Sequence, residues 1–443
     1  MADTRTPAAP GDPEAAGTEA NETGETPEAD RSVVALTTTA ATADSLGEYV
    51  RTWWTRLKAG DSGALPVIVG LIILAAIFQS RDRHFLTAAN LTNLMPQGAE
   101  YTLLALGIVF VLLLGEIDLS VGYVAGLSGI VAAELAKGPH PHSWWIACLA
   151  ALGTATVIGL FQGLLITLLG LPSFVVTLAG YLGWQGVALL ILGNGGPVPI
   201  NNKVINAFAN GSITPTAGWI ITIVGVALYA GVKLYGDVQR RRSGLAAPPL
   251  ALTVLKIALV GLVAVFVTLI SNSNRGALVT VDGVPWVVLI ILGALILWSF
   301  VLGRLRFGRY VYAIGGNAEA ARRAGINVKL IRTLVFGIAG FMAGVAGIVA
   351  ASRLRSVATS SDGGTAVLYC IAAAVIGGTS LFGGRGRAIH AILGGLVIAA
   401  IYNGMGLLGL SSAAQFVVTG LVLLVATAVD ALARRGRTNA GVV

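Results

Sequence analysis

Glu116 and Asp118 stand two positions apart in Gly115-Glu116-Ile117-Asp118-Leu119-Ser120-Val121-Gly122, a polar interruption with apolar residues on both sides. A carboxylate at bilayer depth costs about 2.5–3.5 kcal/mol on insertion scales, so two this close together do not face lipid. One role for them is a broken helix lining a path for a polar solute, with Gly115 and Gly122 permitting the break and Ser120 adding a hydroxyl. Another is structural: both acids lie in a short turn at the cytoplasmic face, and Asp118 caps the helix that follows. If either acid carried a coupling proton, the chain would be a proton-coupled secondary transporter.

A second constellation is Gly315-Gly316-Asn317-Ala318-Glu319-Ala320-Ala321-Arg322-Arg323-Ala324-Gly325-Ile326-Asn327. Asn317 is placed to cap a short helix with small residues on one side and charges on the other. Small residues permit close docking into a groove of another protein, where Arg322 and Arg323 could meet acidic groups. The plainer alternative is a solvated loop with one helical turn. A third group, Ser173, Phe174, Thr177, Tyr181 and Trp184, falls largely on one helical face, and Asn403 lies in a later apolar run. Hydroxyls, an amide and an aromatic face suit a neutral, hydroxyl-rich solute; helix packing with Ser and Thr bonded to backbone explains the same residues equally well.

Other chemistries lack residues. None of the six lysines follows a glycine, so the chain cannot cradle ATP through a P-loop. No His-Glu-x-x-His or glycine-elbow serine marks an intramembrane enzyme. His84, His140, His142 and His390 have no metal-ligand spacing, and Cys148 and Cys370 read as small buried apolar side chains. No metal and no cofactor is expected.

The elements that must position these residues follow from hydropathy. The chain has 443 residues, 55% of them hydrophobic and 11% charged, with mean hydropathy +0.81, which places it in the membrane class. Twelve apolar segments are predicted, at about 63–79, 95–114, 120–137, 144–168, 173–193, 217–235, 252–271, 284–302, 332–352, 365–380, 388–408 and 414–431. The segment 365–380 is the weakest, short enough to be re-entrant. Threaded from a cytoplasmic N-terminus, eighteen Lys and Arg fall on the cytoplasmic side and seven outside. This obeys the positive-inside rule and puts both termini in the cytoplasm. The net charge of +8 therefore belongs to membrane orientation and not to nucleic acid. Residues 1–50, acidic and poor in large apolar side chains, are predicted to be a disordered cytoplasmic tail. They lack a signal-peptide pattern, so the first span is expected to serve as an uncleaved insertion signal. Arg51, Arg56 and Lys58 among Trp53, Trp54 and Leu57 make a basic interfacial lead-in. Residues 51–432 form the membrane domain and 433–443 a cytoplasmic tail. The longest external loop is 194–216; the largest cytoplasmic connection is 303–331.

The Glu319-Ala320-Ala321 triplet followed by Gly325 resembles the cytoplasmic coupling motif of ABC importer permeases. Gly115–Gly122, Leu171–Gly180 and Gly377–Gly386 are similar to segments of the monosaccharide branch, the ribose and xylose type permeases, in the same order along residues 63–432. Within that branch Glu116 and the insertion 236–271 look like the D-xylose type, since ribose-type members usually carry glycine at the first position and lack the second. The resemblance implies an all-α polytopic inner-membrane protein, a ten-helix permease core plus an insertion, that is itself no enzyme. It implies ATPase coupling through Asn317, Glu319, Ala320, Ala321 and Gly325, and a path near Glu116, Asp118, Ser120, Ser173, Phe174, Thr177 and Asn403. The implied partners are an ATP-binding-cassette ATPase, an extracytoplasmic sugar-binding protein, a second permease copy, a monosaccharide and membrane lipid.

Overall fold

A bilayer core offers no water to backbone N–H and C=O groups, so apolar runs of this length must satisfy them within helices. The computed structural model describes residues 65–193, 196–245, 247–276, 280–358 and 363–439, with Gly47 and Arg51 as isolated positions. The acidic tail and most of the basic lead-in lie outside the described residues.

The chain begins with α1 (Leu65–Arg81), α2 (Ala88–Leu113), α3 (Val121–Leu135), α4 (Trp144–Leu169) and α5 (Ser173–Leu192). After the short β1 (Val198–Pro199) and α6 (Lys203–Asn210) come α7 (Pro215–Arg242), α8 (Leu250–Asn272) and α9 (Trp286–Arg304). Two short helices, α10 (Arg306–Gly316) and α11 (Ala318–Arg323), lead into α12 (Val328–Leu354) and β2 (Ser356–Val357). The chain closes with α13 (Gly363–Ile376), α14 (Ala388–Leu407) and α15 (Ser412–Asn439).

Among the described residues, eight of these helices are long and apolar enough to cross a membrane, and α1, α3, α13 and the first part of α15 are shorter apolar helices. Each corresponds to one predicted segment. Some boundaries differ for local reasons. α2 starts at Ala88, seven residues ahead of the predicted edge; its first turns are polar and contain Pro96, while Thr87 accepts the Asn90 N–H at 3.4 Å. α15 runs on to Asn439, past the end of the predicted apolar segment. The helices α3 and α13, with 15 and 14 residues, reach only about 21–22 Å at 1.5 Å per residue, short of the roughly 30 Å hydrocarbon core.

α2, α12 and α14 are mostly buried, whereas α7 and α8 present nearly all of their surface outward. Apolar on their exposed faces, α7 and α8 suit lipid; they are tied together by the Thr222 and Thr268 hydroxyls at 2.6 Å and by Thr253 donating to Asp237 at 2.5 Å. The centre depends on small residues. On α4, Gly159 packs against α12 so closely that a Cβ there would stand 3.0 Å from the Gly340 Cα, and Gly163 is similarly tight against Thr333. Lipid gives helices no hydrophobic reason to associate, so this approach of backbones supplies the van der Waals contact that does. At the end predicted to be external, β1 pairs antiparallel with β2, and Ile200 N–H donates to the Arg355 carbonyl at 2.8 Å. Ser352 of α12 accepts from Ala209 N–H at 3.0 Å and its carbonyl from Asn210 at 2.6 Å, which fastens α6.

Candidate functional site

Four segments far apart in sequence meet at the predicted cytoplasmic end. α2 stops where Gly115 takes φ +74°, a left-handed geometry that favours glycine, and Gly115 N–H closes onto the Leu112 carbonyl at 2.9 Å. The next residues are held by side chains. Ile117 N–H donates to Ser173 Oγ at 3.4 Å, and Thr177 Oγ1 lies 3.3 Å from the Ile117 carbonyl, so the start of α5 pins this loop. Asp118, buried, accepts from Ser120 N–H at 2.9 Å and lies 2.7 Å from Ser120 Oγ, which is also 3.0 Å from Gln162 Oε1 on α4. Asp118 therefore shapes the turn into α3, and Ser120 is the N-cap residue without a side-chain cap bond. Glu116 pairs with Arg332 near the start of α12 at 3.1 Å.

The other two segments close around the same loop. Gly384 N–H donates to the Leu113 carbonyl at 2.9 Å. Tyr312 of α10 donates to the Gly386 carbonyl at 2.7 Å, and burial pushes its phenol above the ordinary tyrosine range. Gly315, at the end of α10, leaves room for the Leu113 carbonyl, which a side chain there would strike. Asn317 then caps α11, its Oδ1 accepting from Glu319 N–H at 3.0 Å and Ala320 N–H at 2.9 Å. Ala321 is buried against the bundle while Glu319, Ala320, Arg322 and Arg323 face outward, Glu319 pairing with both arginines. Gly325 at φ +82° turns the chain, and Asn327 caps α12 by accepting from Leu330 N–H at 3.0 Å. The result is an exposed six-residue helix that follows directly on α10, whose end lies against the Leu113 carbonyl where α2 gives way to the loop that precedes α3.

Of the residues expected near a path, Glu116, Asp118, Ser120, Ser173 and Thr177 are thus gathered at this end. Phe174 is half exposed on the outer surface of α5, and Tyr181 packs edge-on against Tyr123 with ring centroids 4.7 Å apart. Asn403 belongs elsewhere: its amide exchanges bonds with Asn90 at 2.7 and 2.9 Å and reaches Gln97 Oε1 at 3.0 Å, joining α14 to α2.

A cavity of about 320 Å³ lies between α2, α3, α12, α13, α14 and α15. Its polar wall is made by Glu100, Tyr101, Arg353, Tyr369, Tyr402 and Gln415. Tyr101 meets Tyr369 at 5.1 Å and Tyr402 at 6.4 Å between ring centroids, both edge-on. Arg353, Ser356 and Val357 line it at the end where β1 and β2 pair. Gly122 lines its opposite side, next to the Gly363 carbonyl, so α3 and α13 begin beside one another at the cavity. Sequence reasoning missed this group. Glu100 did carry a signal, as an acid inside an apolar helix, whereas the tyrosines were indistinguishable from packing aromatics.

The sequence is similar to known proteins over most of its length. Residues 90–427 match the family described as branched-chain amino acid transport system / permease component. The chain is 35% identical to the xylose transport system permease protein of Escherichia coli (strain K12) over 383 residues, covering 86% of this chain and 94% of the relative. It is 33% identical to the xylose transport system permease protein of Haemophilus influenzae over 384 residues, 85% and 98% of the two chains. Against the ribose import permease protein of Bacillus subtilis (strain 168) identity is 32% over 367 residues, 83% and 92% of the two. No solved structure matches the chain.

Proposed function

The chain belongs to this family of transport-system permease components, and from that premise we propose that it carries a monosaccharide inward as the membrane-spanning subunit of an ATP-driven importer, with D-xylose the first candidate. The observation that carries the mechanism is that exposed α11 follows directly on α10, whose Gly315 and Tyr312 lie against the Leu113 and Gly386 carbonyls beside the loop Gly115–Ser120. Asn317, Glu319, Ala320, Ala321 and Gly325 form the part that a cytoplasmic ATPase engages. Nucleotide-driven movement of that partner shifts α11 and α10, and Tyr312, Gly384 and the Glu116–Arg332 pair pass the shift to the loop that leads into α3. Glu116, Asp118, Ser120, Ser173 and Thr177 then form the inner end of the path, whose backbone is rearranged as access alternates.

The partners in this reading are the ATPase below, a sugar-binding protein on the outer face and a second copy of this chain. The xylose assignment rests on the identity to the two xylose permease proteins and on Glu116 with the insertion 236–271.

The test is reconstitution of the complete complex in liposomes, with uptake measured over a panel of pentoses and hexoses, each presented on its loaded binding protein. Uptake is expected to require the ATPase and ATP and to be indifferent to a protonophore at constant ATP. Uptake that persists without the ATPase and collapses with the protonophore would instead make Glu116 or Asp118 proton carriers and overturn the proposal.

A further inference from the structure

Gly126 lines the cavity between α2, α3, α12, α13, α14 and α15, and a Cβ added there would meet nothing within 4 Å. This separates it from its neighbours on the same helix. Gly122 is held against the Gly363 carbonyl, and at Gly129 a Cβ would stand 3.0 Å from the Gly347 carbonyl, so both are glycine because backbones touch there. At Gly126 no contact asks for glycine, although glycine is a poorer helix former than alanine. What its missing side chain preserves is open space.

The walls indicate what the space is for. At about 320 Å³ the cavity is at the small end of the roughly 300–1,000 Å³ range of small-molecule sites, which combine apolar and aromatic walls with a few convergent polar groups. Three tyrosines supply ring faces and phenols, and Gln415 and Thr365 supply neutral donors and acceptors. Glu100 and Arg353 bring one charge of each sign, so the site has no net charge to attract an anion or a cation. The aliphatic side chains along it are few, with α3 and α12 contributing mainly glycine and alanine. An aliphatic amino acid would need the reverse composition.

Resting on the reading of the chain as a sugar permease, we propose that this cavity holds one neutral monosaccharide in transit, its hydroxyls met by Glu100, Arg353 and Gln415 and its ring by the Tyr101, Tyr369 and Tyr402 group, with Gly126 setting the available width. Binding there is weak and the site is a waypoint between the outer mouth and the loop Gly115–Ser120.

The experiment uses the full complex in liposomes and compares wild type with Gly126→Ala, Gly126→Leu and Tyr101→Leu. Gly126→Leu is expected to assemble, to retain basal ATP hydrolysis and to lose at least about tenfold in uptake, equivalent to about 1.4 kcal/mol of added barrier; Gly126→Ala is expected to lie between the two. Tyr101→Leu is expected to change the ratio of pentose to hexose uptake. Independently of turnover, Ala350→Cys on the cavity wall is expected to react with a membrane-impermeant thiol reagent from outside, and high millimolar monosaccharide is expected to slow that reaction while leucine does not. Cys148 and Cys370, both buried, provide a low background. Full uptake by Gly126→Leu, or labelling unaffected by sugar, overturns the site, and protection by leucine instead reassigns it to an amino acid. Wild-type complexes that import no sugar refute the parent reading, whereas wild-type import with undiminished Gly126→Leu import refutes the cavity alone.

Discussion

Separate replacement of Glu116 and Arg332 should have unequal costs, because the two side chains differ in access to water. Glu116 is 14% exposed and Arg332 33%, with 3.1 Å between the charged atoms. At an effective dielectric constant of about 20 the attraction is about 5 kcal/mol before desolvation is charged against it. Arg332→Met strands an almost covered carboxylate, which belongs at the lower edge of the range for broken buried pairs, about 3 kcal/mol. Glu116→Gln leaves an arginine that still reaches solvent, and the cost falls to about 1 kcal/mol. The Arg332 Nε, buried without a hydrogen-bond partner, already indicates that this guanidinium is incompletely satisfied by the fold. The double variant removes both charges together, so its cost should fall short of the sum of the single costs by about 2 kcal/mol. Unfolding in mixed micelles, followed by helical circular dichroism, measures the cycle. The functional readout is sugar imported per ATP hydrolysed, expected to drop in both single variants and to recover partly in the double. Single costs that add to within about 0.5 kcal/mol, with an unchanged coupling ratio, would refute the account of this pair as the link between α12 and the loop.

Gly340→Val should be among the most damaging single changes in the bundle, since the new side chain meets the Ala155 carbonyl and Gly159; overpacking of about 3 kcal/mol should appear as lost yield and a lower melting temperature. Asn317→Ala should remove about 1 kcal/mol of capping from α11 and weaken co-purification of the ATPase with little effect on the melting temperature, while Asn317→Asp preserves both. Tyr312→Phe deletes the bond to the Gly386 carbonyl and should cost about 1–2 kcal/mol, seen as a lower melting temperature and a reduced coupling ratio.

How much of this was legible beforehand depends on the range of the interaction. The Asn317 cap was readable because capping acts over two or three residues. The break at Gly115 was readable because charge inside an apolar run is a local anomaly. The second helix in the cytoplasmic connection, α10, was not foreseen. It buries only Gly308, Val311 and Ile314, a thin stripe in a basic stretch ending in two glycines, and its packing against the bundle supports it more than its composition does. The pair Asn90–Asn403 and the bond from Gly384 to Leu113 span hundreds of residues and left no mark in either stretch alone. Asn403 was expected near a path and is found in an interhelical amide cluster, because an amide in an apolar run reads the same whether it faces a solute or another amide.

From the sequence by itself came the apolar segments, an expected orientation and the positions of the polar breaks, since a bilayer imposes length and charge rules that each segment must meet alone. Only the tertiary structure decided which breaks meet, which helices begin together at the cavity, and what each glycine is for. Gly122 and Gly126 are one helical turn apart and identical in chemistry; the first has a backbone opposite it and the second has open space. That difference resides in what lies across from α3, contributed by residues more than two hundred positions away.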